Sequence, residues 1–235
     1  MNALRILGLD TSGKVASCAL LDTQQDCLLG EQSVYTRRGH SQIILPLCER
    51  LLADCALTLE DVDCYAVSTG PGSYTGLRIG IAAVQGLAMA RGTPCIGVST
   101  LEAMASRLFG ADDILAVMHA REDKFYCARF SCGGDRMERR TPDELQSAAQ
   151  IAGMTGQTKA RILLVGDGCG QLMEQLEAME HAGEMLRPVP PILRLQSAAG
   201  VCRCAAQYIA ANKELPAAAD LTASYLQNVN ITKKG

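Results

Sequence analysis

Four glycines, at positions 70, 72, 76 and 80, punctuate one stretch of this chain: Ser68-Thr69-Gly70-Pro71-Gly72-Ser73-Tyr74-Thr75-Gly76-Leu77-Arg78-Ile79-Gly80. An apolar run at 62–67 leads into it, and an apolar-periodic segment at 77–90 leads out. That order predicts strand, glycine-rich turn, helix. The unit recurs. Residues 162–165 predict a strand, followed by Gly166-Asp167-Gly168-Cys169-Gly170 and a helix to about residue 180. Each copy follows a three-strand unit and a helix, although the halves share negligible sequence identity. The element order predicts two related α/β lobes, 1–109 and 110–235, divided near Phe109-Gly110-Ala111.

The flanking segments fill in both lobes. Residues 4–10, 15–21 and 27–35 predict three strands by apolar runs and β-branching. Apolar residues at 43, 44, 47, 48, 51, 52 and 55 repeat at the helical period over 40–55, with Pro46 predicting a kink or an irregular first turn. After the glycine unit come a strand at 93–98 and a helix to 108, with Ser99 and Glu102 spaced as a capping box. The second half predicts strands at 114–120, 125–130 and 136–140. A helix over 142–152 follows, with Thr141 as N-cap and Pro142 at its first position. Pro188, Pro190 and Pro191 mark an extended connector, 197–213 a helix, and 217–235 a short helix with a basic end.

Composition narrows the classes. The 235 residues are 48% hydrophobic and only 20% charged, a balance that favours a greasy surface and hence a partner. A net charge of −3 argues against autonomous nucleic-acid binding by a basic face. Aromatics at 4% with no tryptophan make base-stacking platforms unexpected. No run of 18 apolar residues predicts a membrane span, and the first residues read as a strand rather than a signal peptide. Eleven cysteines, scattered through apolar runs without a CxxC, suggest reduced, buried thiols and a cytoplasmic setting.

The glycine loop could cradle a phosphate, because a helix start offers free N–H groups and a positive dipole end. Gly70 and Gly72 would contact phosphates, and Asp10-Thr11-Ser12-Gly13 could hold a metal-bound water and a phosphate. The same residues equally suit tight turns and close helix packing. The spacing GxGxxxG is one residue longer than the dinucleotide fingerprint, the next strand ends Gly97-Val98-Ser99 without an acid, and no Walker lysine follows. Gly76 and Gly80 share a helix face, with Ala83 and Ala90 nearby. Each glycine costs about 1 kcal/mol of helix propensity relative to alanine, so close approach of another helix is the simplest account. His40, His119 and His181 form no metal-ligand spacing, and no G-x-S-x-G occurs.

The motif order resembles the TsaB family. The resemblance rests on Ile6-Leu7-Gly8-Leu9-Asp10-Thr11-Ser12, on His40-Ser41 with Leu45-Pro46, on the string 68–80, and on Gly97-Val98-Ser99-Thr100-Leu101-Glu102-Ala103. It is dense over 4–107. Gly166-Asp167-Gly168 and Ser224-Tyr225-Leu226 are weaker landmarks. It implies an actin/sugar-kinase-like fold of two βββαβα lobes. It also implies a non-catalytic subunit supporting threonylcarbamoyl transfer to the tRNA adenosine next to the anticodon. The implied partners are a TsaD-like transferase, bound through an N-lobe helix bundle, and a TsaE-like ATPase. tRNA would be met only through the complex, and a homodimer forms when the chain is alone. On that basis Ile43, Leu47, Leu51, Gly76, Ile79, Gly80 and Ala83 become the expected partner interface, with Gly80→Leu expected to break association without unfolding the chain. Asp10, Thr11, Ser12, Gly70 and Gly72 remain a possible site for weakly bound ATP and magnesium. The catalytic paralogue's His-x-x-x-His metal pair has no counterpart around His119. The chain also departs from the family's pattern at His119-Ala120-Arg121, where Asp-Ala-Arg is expected, and at Tyr225-Leu226-Gln227, where Tyr-Leu-Arg is expected.

Overall fold

The computed structural model describes residues 4–36, 39–133, 136–156, 160–179, 183–212 and 214–226; the expectations for His181, Gln227 and the basic end fall outside them. The first sheet takes β1 (Arg5–Asp10), β2 (Val15–Asp22), β3 (Cys27–Tyr35), β4 (Cys64–Gly70) and β5 (Cys95–Ser99), in the spatial order β3-β2-β1-β4-β5. β1 and β2 pair antiparallel, as do β2 and β3, whereas β4 runs parallel to both β1 and β5. The second sheet repeats this with β6 (Ala111–Arg121), β7 (Lys124–Gly133), β8 (Arg136–Arg139), β10 (Ile162–Val165) and β11 (Leu186–Pro188). Its order is β11-β10-β6-β7-β8, antiparallel among β6–β8 and parallel among β6, β10 and β11. Both sheets therefore follow the βββαβα order that the duplicated motifs predicted.

The helices are α1 (Ile44–Asp54), α2 (Tyr74–Met89), α3 (Thr100–Ala105), α4 (Ala148–Thr155), α5 (Cys169–Glu177) and α6 (Ala198–Ala211). α1 starts after a single 3-10 turn, His40–Gln42, so Pro46 falls in its first turn, where its missing N–H costs nothing. The helix predicted at 142–152 is corrected. Residues Glu144–Ser147 form β9 instead, paired with Lys124–Cys127 of β7. α4 begins only after Ser147, which makes a reciprocal capping box with Gln150. At α3, the Ser99 hydroxyl accepts from the Glu102 N–H, but the Glu102 carboxylate pairs with Arg139 at 2.7 Å rather than closing the predicted box.

β1, β2 and β4 of sheet one are buried on both faces, whereas the edge strand β3 is exposed to half-buried. Leu7 and Leu9 point to the side covered by α1 and α2, meeting Leu47, Leu51, Ile81 and Val84. Ile6 and Ala19 point to the side covered by α3 and α6, where the core runs on into Ile114, Ala116 and Phe130 of sheet two. α6 packs across the expected division. It belongs by sequence to the second lobe, yet packs on β1 and β2. Gly8 makes the room: a Cβ there would lie 2.5 Å from the Cys202 sulfur. The segment 214–226 likewise returns to lobe one as a strap. The Cys95 N–H donates to the Pro216 carbonyl at 3.1 Å, and the Gln85 amide donates to the Ala218 and Leu221 carbonyls at 3.1 and 3.2 Å. The two sheets divide near residue 110, but α6 and residues 214–226 pack on the first.

Candidate functional site

The β1–β2 turn and the glycine loop meet face to face. Asp10 ends β1 fully buried. One carboxylate oxygen accepts from the Ser12 N–H at 2.9 Å and the Ser12 hydroxyl at 2.6 Å; the other accepts from the Ser68 hydroxyl at 2.6 Å. Burial raises the Asp10 pKa above the ordinary aspartate value. The three hydrogen bonds and the charge of His40 pull the other way. The carboxylate thus ties the turn to β4, with its acceptors already engaged.

The loop residues are turned toward protein. Gly70, at φ +125°, lies under the strap: a Cβ would sit 2.5 Å from the Ser224 carbonyl oxygen. That backbone is available to glycine at no steric cost. A Cβ on Gly72 would meet the Ser12 carbonyl oxygen at 2.5 Å. Three donors at and beside the start of α2 are engaged too. The Ser73 N–H donates to the Ser12 carbonyl at 2.7 Å, the Gly76 N–H to the Ser73 hydroxyl at 3.2 Å, and the Leu77 N–H to the Ser73 carbonyl at 2.8 Å. Carbonyl oxygens face the loop where a phosphate would need donors.

Gly76 and Gly80, expected at a partner surface, are buried inside this chain. A Cβ on Gly76 would overlap the Thr11 carbonyl oxygen, and one on Gly80 would lie 2.5 Å from the Thr11 hydroxyl and 3.2 Å from Val67. The small residues let α2 settle on the β1–β2 turn rather than on another helix. Leu47 and Leu51 are core residues as well, 8% and 3% exposed. Only Ile43, Ile79 and Ala83 of the expected set reach the surface, half-buried. The outward face of α2 carries a different row: Thr75, Ile79, Ala82, Gly86 and Met89, at spacings of four and three. A Cβ on Gly86 would meet nothing within 4 Å, and Met89 is 78% exposed. Leu45 of the neighbouring α1 is 39% exposed. The row is legible in the sequence as a heptad-like spacing.

Between the lobes, Gln196 reaches from the connector to the second glycine loop. Its side-chain amide donates to Asp167 at 3.4 Å, and its body fills the space beside Gly13. Burial raises the Asp167 pKa, opposed by Gln196, by the charge of Lys14 and by the His119 N–H. The His119 ring lies 3.1 Å from the Glu122 carbonyl and edge-on to Phe125. Among the described residues no group of three or more His, Cys, Asp or Glu side chains is placed to hold a metal ion. No helix among them is long and apolar enough to cross a membrane.

Comparison with known proteins gives a consistent set of relatives. The family model described as TsaD, tRNA N6-adenosine threonylcarbamoyltransferase, matches residues 34–227. The chain is 39% identical over 130 residues to the tRNA threonylcarbamoyladenosine biosynthesis protein TsaB of Escherichia coli, covering 54% of this chain and 55% of that one. It is 30% identical over 164 residues to the protein of the same name from Bacillus subtilis, covering 69% and 71%. The alignments span about half the length of the first of these curated relatives. The solved structure of YeaZ from Pseudomonas aeruginosa superimposes with a TM-score of 0.80 at 28% identity, over 95% of this chain and all of that one.

Proposed function

The chain belongs to the TsaB family, within the group described by the TsaD threonylcarbamoyltransferase model, and from that membership we propose that it is a non-catalytic subunit supporting threonylcarbamoyl transfer to a tRNA adenosine. Its partner in this proposal is a TsaD-like transferase in the cytoplasm, joined by a TsaE-like ATPase, with tRNA met through the assembly. One observation carries the proposal on this chain: α1 and α2 lie side by side on sheet one, and the outward row of α2 carries small and apolar residues. Ala82 and Gly86 would let a partner helix approach closely, and Met89 would be covered. A homodimer through the same face follows when the partner is missing.

Co-expression with the TsaD-like protein, followed by sizing and a tRNA modification assay with and without this chain, tests the proposal. Ala82→Arg combined with Met89→Asp is expected to abolish co-elution and modification while leaving the melting temperature of the isolated chain within a few degrees. Association that survives both changes would place the interface elsewhere. The alternative, an ATP- and magnesium-binding site at Asp10 and Gly70–Gly72, has less support, because the Ser73 N–H and both Asp10 oxygens already have protein partners. Calorimetric titration with magnesium and ATP decides it; heat at micromolar nucleotide would reinstate that reading.

A further inference from the structure

Three of the chain's six tyrosines, Tyr74, Tyr126 and Tyr225, line one cavity of 90 Å³, together with Pro71, Gly72 and Ser224. They come from three separate places: the first turn of α2, strand β7 of the second lobe, and the strap. The Tyr74 and Tyr225 rings lie 5.1 Å apart, tilted by 35°, and each residue is 41% exposed. The Arg78 guanidinium sits 4.1 Å from the centre of the Tyr74 ring, and its Nε–H donates to the Tyr225 hydroxyl at 3.2 Å. Tyr126 makes no ring contact with this pair among the described residues, so the cavity separates it from them.

Ordinary core packing would bury the rings, yet two of them stand in solvent beside an opening. The strap is pinned to the glycine loop by the Ser224 N–H, which donates to the Thr69 carbonyl at 2.8 Å, so Tyr225 is held in place. Arg78 is oriented through one nitrogen, and its two terminal nitrogens have no protein partner among the described residues. A wall of aromatic faces beside an ordered, exposed guanidinium is the chemistry that receives an unstacked base and its phosphate.

We infer that this cavity takes an unpaired base of an RNA strand between Tyr126 and the Tyr74–Tyr225 pair, with the adjoining phosphate on Arg78. The choice of RNA rests on the proposed role in tRNA modification; the geometry itself calls for an unstacked nucleotide. A strand fits better than a free nucleoside polyphosphate, because Arg78 is the guanidinium held against the Tyr74 ring and the Ser73 and Gly76 N–H groups face Ser12 and Ser73. With a net charge of −3, the chain cannot hold RNA by its overall field, so a local contact must supply the grip.

The test measures binding of a labelled tRNA anticodon stem-loop, a fully paired RNA duplex and 5′-AMP to this chain in complex with its TsaD-like partner. Tyr126→Leu and Tyr225→Ala are each expected to weaken stem-loop binding about tenfold, the scale of one base stack, while Tyr225→Phe retains it. Arg78→Gln is expected to lower the salt slope by about one. Crosslinks from a 4-thiouridine-substituted loop should map to Tyr126 or Tyr225. Stem-loop binding unchanged in a Tyr126→Leu/Tyr225→Ala double variant that still melts as wild type would overturn the inference. So would 5′-AMP or the duplex binding as tightly as the stem-loop. Co-elution with the partner, read on the same samples, separates the two readings. Intact complex with unaffected RNA binding sinks the cavity alone, and lost complex with tyrosine-dependent RNA binding sinks the subunit role alone.

Discussion

Gly76 and Thr11 hold the β1–β2 turn and α2 together from both sides. The Thr11 hydroxyl donates to the Gly76 carbonyl at 2.8 Å, while the Thr11 carbonyl occupies the place a side chain on Gly76 would need. The contact spans 65 positions of sequence. It explains why a helix tolerates glycines that weaken it: they seat α2 on the turn that Asp10 anchors.

Glycines on the two faces of α2 should therefore respond in opposite ways. Gly76→Ala and Gly80→Ala drive a methyl group toward Thr11 and are expected to lose about 1–3 kcal/mol by denaturant unfolding. Gly86→Ala, with open space around it, is expected to gain about 1 kcal/mol from helix propensity. Equal effects at the three sites would contradict the seating of α2.

The buried carboxyls give a pH signature. Burial holds the Asp10 pKa above the ordinary value of about 3.9, so the folded state keeps this proton more tightly than the unfolded chain. Its contribution is fully present below the ordinary pKa and is lost as pH rises through the raised one. Asp10→Asn removes the titration, and the Ser68 hydroxyl can turn to accept from the new amide. Melting temperatures from pH 3 to 8 are expected to show the variant gaining on the wild type across that window and then running level with it. Asp167, raised by burial in the same way, should behave likewise in Asp167→Asn. Parallel profiles throughout would contradict the assignment.

Thiol chemistry should report the packing. Nine of the eleven cysteines are buried, Cys27 is exposed and Cys55 is intermediate. Burial pushes Cys64, Cys127, Cys169 and Cys204 up to about 12 and Cys95 to about 11. Brief maleimide treatment at neutral pH, followed by intact mass, is expected to add one or two labels to the folded chain and eleven after denaturation. Rapid labelling of more than two sites in the folded protein would show that the core is looser than described.

Gln85 is one of the side chains that hold the strap. Gln85→Leu deletes both hydrogen bonds to the Ala218 and Leu221 carbonyls. Limited proteolysis is expected to cut within 214–226 several-fold faster in the variant, with α6 left protected. Unchanged cleavage would show that Leu221 packing and the backbone bonds at Pro216 and Ser224 hold the segment without Gln85.

The sequence by itself determined the pair of βββαβα lobes, because alternation of apolar runs, glycine turns and helical periods is local and is written twice in this chain. It also placed Asp10 at a strand end before a turn, but left open whether that carboxylate would serve a ligand or its own turn; burial and the bonds to Ser12 and Ser68 were decided by the fold. Three further things were decided only by tertiary structure. Helical spacing puts Gly76 and Gly80 on one face but does not say which way that face points; the inward choice was made by the Thr11 carbonyl. Residues 144–147 satisfy a helix start locally, yet β7 offered them a ladder, and the cap moved to Ser147. The third is the return of α6 and the strap to lobe one, which brings Tyr225 beside Tyr74 across 151 positions and sets Tyr126 opposite. Composition counts the aromatic residues but carries no information about which few rings the chain brings together.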